Sequence, residues 1–495
     1  MRDLKPEFIY EFLNDGPSQT TIADLLAAFQ QDEATRDGPH TYRIPYAYWQ
    51  NCLDDTLKQE IAGRIDTQII DETDLQTHIA CLGIQMRLYP RQWPLLNAVK
   101  ARGASEYLSP WSVSAVLEAI SIYRAVFDWP TLLSFTQRAM QIFPRAHQDA
   151  GIITDCFVLA AYRLMGQDIN RGKDGSQALA NFTAHIKMAL AYIGNDTKNG
   201  HFYQSLQAKS EGNIDASIQQ LVDAQKADGK VIVFFQRLEN FLDVKSIAKT
   251  PTPLLQRLLA APTYNFRHQA GEEETVLLVS LDEEYFEKYC TDFLSSYGHR
   301  NIDGLAHLHC INFVPPASVL SALEASSNTR INITCDMQPE LAKSENLFRG
   351  YAAGARYIFL PLYLERYKNI VITDVDGFFL APSDKIWNRH PKSTIMLDTK
   401  LFAPDVGEGR HNSWTTGFLW ELIRAGNFAI RRTEKNMQFA HIVANYLAEQ
   451  ITKCEQHGYE LFYTDQIALL LAYKALEQEC TFGHSFEVLR QRLRF

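Results

Sequence analysis

The sequence predicts a two-part protein: an all-α helical-repeat or bundle domain over 1–265, followed by an α/β domain over 272–495. Three observations carry this. The first half reads as a series of paired helices. KTPTPLLQRLLAAPTYNFRHQAGEEE (249–274), with three prolines, a glycine and an acidic run, then breaks the pattern. After it, short β-rich apolar runs alternate with helical ones, the signature of a parallel α/β sheet. At 495 residues the chain is too long for one ordinary domain.

In the first half, VSAVLEAISIYRAVF (113–127) spaces Val116, Ala119, Ile120, Tyr123 and Phe127 as one helical stripe. Tyr123, Phe127 and Phe135 are therefore expected in a core. Further helices follow at 131–144, 153–166, 176–194 and 201–229, the last interrupted by the EGN turn. GNIDASIQQLVDAQKAD resembles the second helix of a tetratricopeptide unit, with Gly212, Ser217, Ile218 and Ala224 matching. Ala189 and Ala224 are 35 residues apart, near the ~34-residue repeat period. A tetratricopeptide-like series over 113–229 and an irregular bundle are both open readings. Solenoid surfaces suit protein partners, so a partner on this domain is expected.

Composition narrows the function classes. The chain is 46% hydrophobic and 21% charged, as in soluble globular proteins. With 48 basic against 58 acidic residues, net charge is −10, which disfavours a general nucleic-acid or anionic-membrane binder. The eight cysteines include no CxxC pair and read as reduced, buried thiols. No apolar run approaches the ~18 residues of a membrane span. The opening MRDLKPEFIYEFLNDG carries no apolar signal core, so a cytoplasmic location is expected.

The chemistry concentrates in NIVITDVDGFFLAP (369–382). An apolar strand, Asn369–Thr373, runs into Asp374 and Asp376. In α/β sheets ligands bind at the carboxyl ends of strands. Side chains two apart on extended backbone share a face, so these carboxylates would repel unless a cation sits against them. Hard oxygen donors suit Mg²⁺ or Mn²⁺ with a substrate diphosphate as co-ligand.

GARYIFLPLYLERYKNIVITDVDGFFL (354–380) resembles the nucleotide-sugar glycosyltransferases of the GT-A fold: an arginine in a helix, then a strand ending in D-x-D. The resemblance is sharp over 356–380 and weaker from about 273 onward. It implies a Rossmann-like mixed sheet, a divalent metal (Mn²⁺ or Mg²⁺) and a nucleotide-sugar donor, a UDP-sugar first. Asp374, Val375 and Asp376 would meet donor and metal. VLLVSLDEEYF is similar to the first strand of that fold, making Ser280 and Asp282 nucleotide contacts. NSWTTGFLW is similar to a later strand, with Thr416 and Gly417 near the sugar. FYTDQIALLLAY is similar to the helix near the acceptor, with Asp465 and Gln466 at its start and Thr464 as its N-cap. FGHSF places His484 where many members supply a third metal ligand, although the fuller signature around that histidine is absent. Arg356 would contact the donor or the aspartates. In an inverting reaction Asp465 would be the general base, with Asp398 in reserve, whereas a retaining reaction would need no such base, and both outcomes are open. The expected activity is sugar transfer to a protein or glycan acceptor.

Two other readings compete. One is a non-catalytic helical scaffold with a decayed transferase domain. The other is a metal-dependent phosphoryl- or nucleotidyl-transfer enzyme, against which stands the lack of G-x-x-x-x-G-K-[ST] and G-x-G-x-x-G loops.

Overall fold

A computed structural model describes residues 116–484 apart from 118, 121–122, 125–126, 147–148, 173, 229–230, 232–239, 342–343, 400–417, 458–460 and 462. The chain divides into two compact units, Met1–Tyr203 with Ala227–Phe235, and Gln204–Lys226 with Gln236–Phe495.

The described part of the first unit is helical. Val116, Ala119, Ile120 and Tyr123 are helical and fully buried, as their spacing predicts. Phe127 departs from the stripe. It sits in the left-handed region (φ 57°) and is 71% exposed, because Asp128 and Pro130 open the next helix immediately after it. That helix, α1 (Trp129–Ile142), is capped by the Asp128 carboxylate, which accepts from Thr131 N at 3.4 Å. It buries Leu132, Phe135, Ala139 and Met140, one apolar face. Next come α2 (Ala150–Asn170) and α3 (Gly175–Ile193). α2 buries Asp155, which accepts from Asn199 and from Tyr203 OH. α4 (Lys198–Ser210) carries the chain into the second unit.

In the second unit, α5 (Ile214–Lys226) follows a turn in which Gly212 adopts φ 84° and Asn213 caps Ala216 N. Ser217, facing back, donates to Ser205 O. α6 (Pro253–Ala260) starts on a Thr252 cap. An α/β series then runs β1 (Thr263–Asn265), β2 (Thr275–Leu281), α7 (Glu283–Arg300), β3 (Gly304–Ile311), α8 (Ala317–Ser327), β4 (Thr329–Asp336), α9 (Glu345–Ile358), α10 (Leu360–Arg366), β5 (Asn369–Thr373), α11 (Lys385–Arg389), β6 (Ile395–Thr399), β7 (Ile423–Arg431), α12 (Glu434–His457), α13 (Thr464–Leu476) and β8 (Phe482–Gly483). The helical run is broken between α9 and α10 at Phe359, with Pro361 in the first turn of α10.

The eight-stranded sheet has the order β1-β4-β3-β2-β5-β7-β6-β8. It is mixed, not wholly parallel: β1 is antiparallel to β4, and β7 runs antiparallel between β5 and β6. The two faces differ in chemistry because strand side chains alternate. Leu277, Val279, Leu308, Cys310, Ile331 and Ile333 pack against Phe286, Phe293 and Leu323 of α7 and α8. On the opposite face β3 and β4 carry fully buried polar side chains. There His307 bonds Tyr367 OH and Thr334 Oγ1 (2.8 Å each), and His309 bonds Tyr363 OH (2.7 Å). Asp336 at the end of β4 accepts from Tyr351 of α9 and lies 3.5 Å from His309 Nε2. Buried polar groups persist only when paired, and here tyrosines supply the partners.

The chain lays β2, β3 and β4 outward to one side, then crosses back through α9 and α10 to place β5 on the other side of β2. The carboxyl ends of β2 and β5 therefore flank a topological switch point, where open α/β sheets leave a crevice.

Candidate active site at the carboxyl end of the central strands

β5 ends at Thr373, and the chain turns at once through Val375 and Asp376. The extended backbone expected to put both aspartates on one face stops short of them. Their different surroundings follow from this turn. Val375 is buried in the apolar face of the sheet and anchors the turn. Asp374 points back to the buried Arg356 of α9, whose NH2 lies 2.6 Å from Oδ1. Asp376 makes no hydrogen bond or ion pair among the described residues; it lies near enough to Tyr285 to add, after burial and Tyr289, to the rise in that tyrosine's pKa, as do Asp282 and Glu284.

A bulge in β7 builds the other wall. Pairing with β6 jumps from Leu397↔Phe428 to Asp398↔Arg424, so Ala425, Gly426 and Asn427 have no opposite residue in the β6 ladder. Gly426 O accepts from Asp374 N at 3.3 Å. Ala425 O accepts from Arg356 NH2 and from Tyr357 OH. Asn427 lies between Thr373 Oγ1 (3.4 Å) and Asp398, to which its Nδ2 donates at 3.1 Å. Arg356 also donates through NH1 to Thr373 O at 2.9 Å. One buried guanidinium thus fixes the end of β5, the bulge and Asp374. Despite burial, the carboxylates of Asp374 and Asp465 and the neighbouring Tyr357 raise its pKa.

Asp465 enters from α13. Its helix begins on Tyr463, a left-handed residue (φ 66°) with no side-chain cap. Thr464 is not the cap expected from the sequence; its hydroxyl donates to Leu461 O at 2.6 Å. The turn is seated on α9: Leu461 N bonds Asn346 Oδ1, and a Cβ on Gly350 would lie 2.3 Å from Leu461 Cβ. Burial pushes the Asp465 carboxyl up to about 6, with Arg356 opposing and Asp374 reinforcing the rise. Its Oδ1 accepts from Gln466 N at 2.8 Å.

The other expected residues divide. Asp282 caps α7, accepting from Tyr285 N at 2.9 Å at the mouth of the crevice. Ser280 donates to Ala352 O at 2.8 Å, a bond that ties β2 to α9. The Gln466 amide is satisfied by donating to Trp420 O and Ile423 O, which pins α13 to the start of β7. Thr416 and Gly417 lie outside the described residues. His484 directly follows the edge strand β8, which β6 and β7 separate from β5, or ~14 Å by strand spacing. It packs against Tyr473 and Phe482, and burial lowers its pKa to about 4. Among the described residues no three His, Cys, Asp or Glu side chains cluster to hold a metal ion, so His484 does not join Asp374 and Asp376. Tyr285, 45% exposed beside Asp282 and Asp376, was not singled out by the sequence reading. Its signal was an aromatic three residues past a strand-end acid, on the outer side of the first helical turn.

No family model and no curated protein matches the chain. Among solved structures, mouse xyloside xylosyltransferase 1 in its apo form aligns at 13% identity over 43% of this chain and 85% of that one, with TM-score 0.25. The apo WbbM bifunctional glycosyltransferase aligns at 14% identity with TM-score 0.28, over 44% of this chain and 40% of its own length. At such scores no residue role is carried over; the site stands on its own geometry.

Proposed function

We propose that the second unit is a metal-dependent glycosyltransferase, moving a sugar from a nucleotide-diphosphate donor, a UDP-sugar first, to a protein or glycan acceptor. The observation that carries this is the asymmetric aspartate pair at the β2/β5 switch point: Asp374 held by Arg356, and Asp376 without a hydrogen bond or ion pair among the described residues. Two carboxylates are the hard donor set that Mg²⁺ or Mn²⁺ takes while leaving positions for a diphosphate. When bound, such an ion would neutralise charge gathering on the departing diphosphate.

The chain's own groups do the rest. Arg356 holds Asp374 in place and adds positive charge beneath the diphosphate position. Tyr285 offers an exposed ring to the nucleoside where β2 ends. Asp465, with its pKa near 6, is ionised at neutral pH yet basic enough to take a proton from an acceptor hydroxyl. Asp398, oriented by Asn427, is the reserve base. Ser280 and Gln466 act by positioning α9 and α13. The helical first unit is assigned to acceptor or partner recruitment.

The test is a panel of sugar nucleotides assayed for binding and slow hydrolysis, with and without manganese, on wild type and Asp376→Ala. One donor turned over only with metal, and lost in the variant, supports the proposal. A folded protein that binds no donor overturns it.

A further inference from the structure

The apolar face of the sheet holds a pair of thiols that the proposed reaction does not use. Cys310 of β3 and Cys335 of β4 stand directly opposite each other in the parallel ladder. In-register neighbours in a parallel pair are ~4.8 Å apart and share a face, within the ~4.4–6.8 Å Cα separation a disulfide spans. We propose that Cys310 and Cys335 are a dithiol–disulfide modification site, closed by a small-molecule disulfide such as oxidised glutathione.

Three features support this beyond register. The adjacent Cys335 and burial raise the pKa of Cys310, whereas the adjacent Cys310 lowers that of Cys335. That polarisation marks Cys335 as the attacking thiolate and Cys310 as the resolving thiol. The strand ends beside them are already locked: Asn312 N bonds Asp336 O at 2.8 Å, and the Asn312 side chain bonds both N and O of Gln338. The thiols are thereby held together in either redox state. Finally, Cys335 is the less covered of the two, at 7% against 0%, and its outer neighbour is only the three-residue edge strand β1, through Thr263. Fraying of so short an edge admits a small oxidant.

The step balances. The Cys335 thiolate attacks one sulfur of the small disulfide and expels one thiolate. Cys310, deprotonated, then attacks the Cys335 sulfur and expels the second. Two protein thiols are oxidised, one small disulfide is reduced to two thiols, and the protons pass to the leaving thiolates. This site is independent of the sugar-transfer reading.

The full chain, folded, would be incubated with an oxidised-glutathione series, quenched with an alkylating agent and mapped by peptide mass. The expected result is a loss of two of the eight thiols. A linked Cys310–Cys335 peptide should form, and excess reduced thiol should reverse it. Cys310→Ala should instead leave a stable glutathione adduct on Cys335. Wild-type protein in which both cysteines stay alkylatable while the half-exposed Cys480 reacts would overturn the proposal. So would a wild-type adduct on Cys335 that never resolves onto Cys310.

Discussion

Replacing Arg356 with methionine tests the architecture of the site most directly. The guanidinium serves three acceptors: Thr373 O, Ala425 O and Asp374 Oδ1. Methionine fills similar volume and serves none. Ala425 O keeps the Tyr357 hydroxyl, so the buried acceptor left without its partner is Thr373 O, at a cost of about 1–3 kcal/mol. Asp374 is 39% exposed, so water recovers most of its lost ion pair, which adds only ~0.5 kcal/mol. Relief of the desolvated cation, including its unpartnered buried Nε, offsets part of this. The net expectation is a loss of about 2 kcal/mol, read by denaturant unfolding of the second unit. Loss of the cation should also move the Asp465 carboxyl further above 6, since Arg356 is the charge that restrains it. A variant within ~0.5 kcal/mol of wild type would refute the assignment of Arg356 as the pin of this site.

Asp376→Ala should behave in the opposite way, abolishing donor turnover while leaving the thermal midpoint unchanged, because its carboxylate supports no contact among the described residues. Gly350→Ala should destabilise by about 1–3 kcal/mol, because its Cβ has no room against Leu461; a thermal melt checks this, and an unchanged midpoint would show that α9 and the Leu461 turn separate freely. Stability should also fall as pH drops below ~6.5. Burial holds the pKa of His307 well below the ordinary histidine value and that of His484 at about 4, so the unfolded chain binds protons that the fold refuses, and stability present at neutral pH is lost on acidification. Each such histidine contributes a slope approaching ~1.4 kcal/mol per pH unit between its unfolded and folded pKa values, measurable as midpoint against pH. A flat profile from pH 7 to 5 would contradict it.

Periodicity and punctuation were legible in the sequence. The strand Asn369–Thr373 appears at its predicted bounds, and Val116, Ala119, Ile120 and Tyr123 of the first unit are helical and buried as expected, because each follows from local spacing of apolar residues. The placement of Asp374 and Asp376 at a strand's carboxyl end was equally local. Phe127 was misread because a helical period cannot register that Asp128 and Pro130 begin a new helix. What only the tertiary structure decided is who meets whom. The β7 bulge that binds Arg356 and Asp374, the arrival of Asp465 from 91 residues downstream of Asp374, and the distance of His484 depend on strand order. The buried His307–Tyr367 and His309–Asp336 pairs read in sequence as ordinary strand positions. Side-chain alternation gives each residue a face, but only long-range pairing of strands and helices sets what lies against that face.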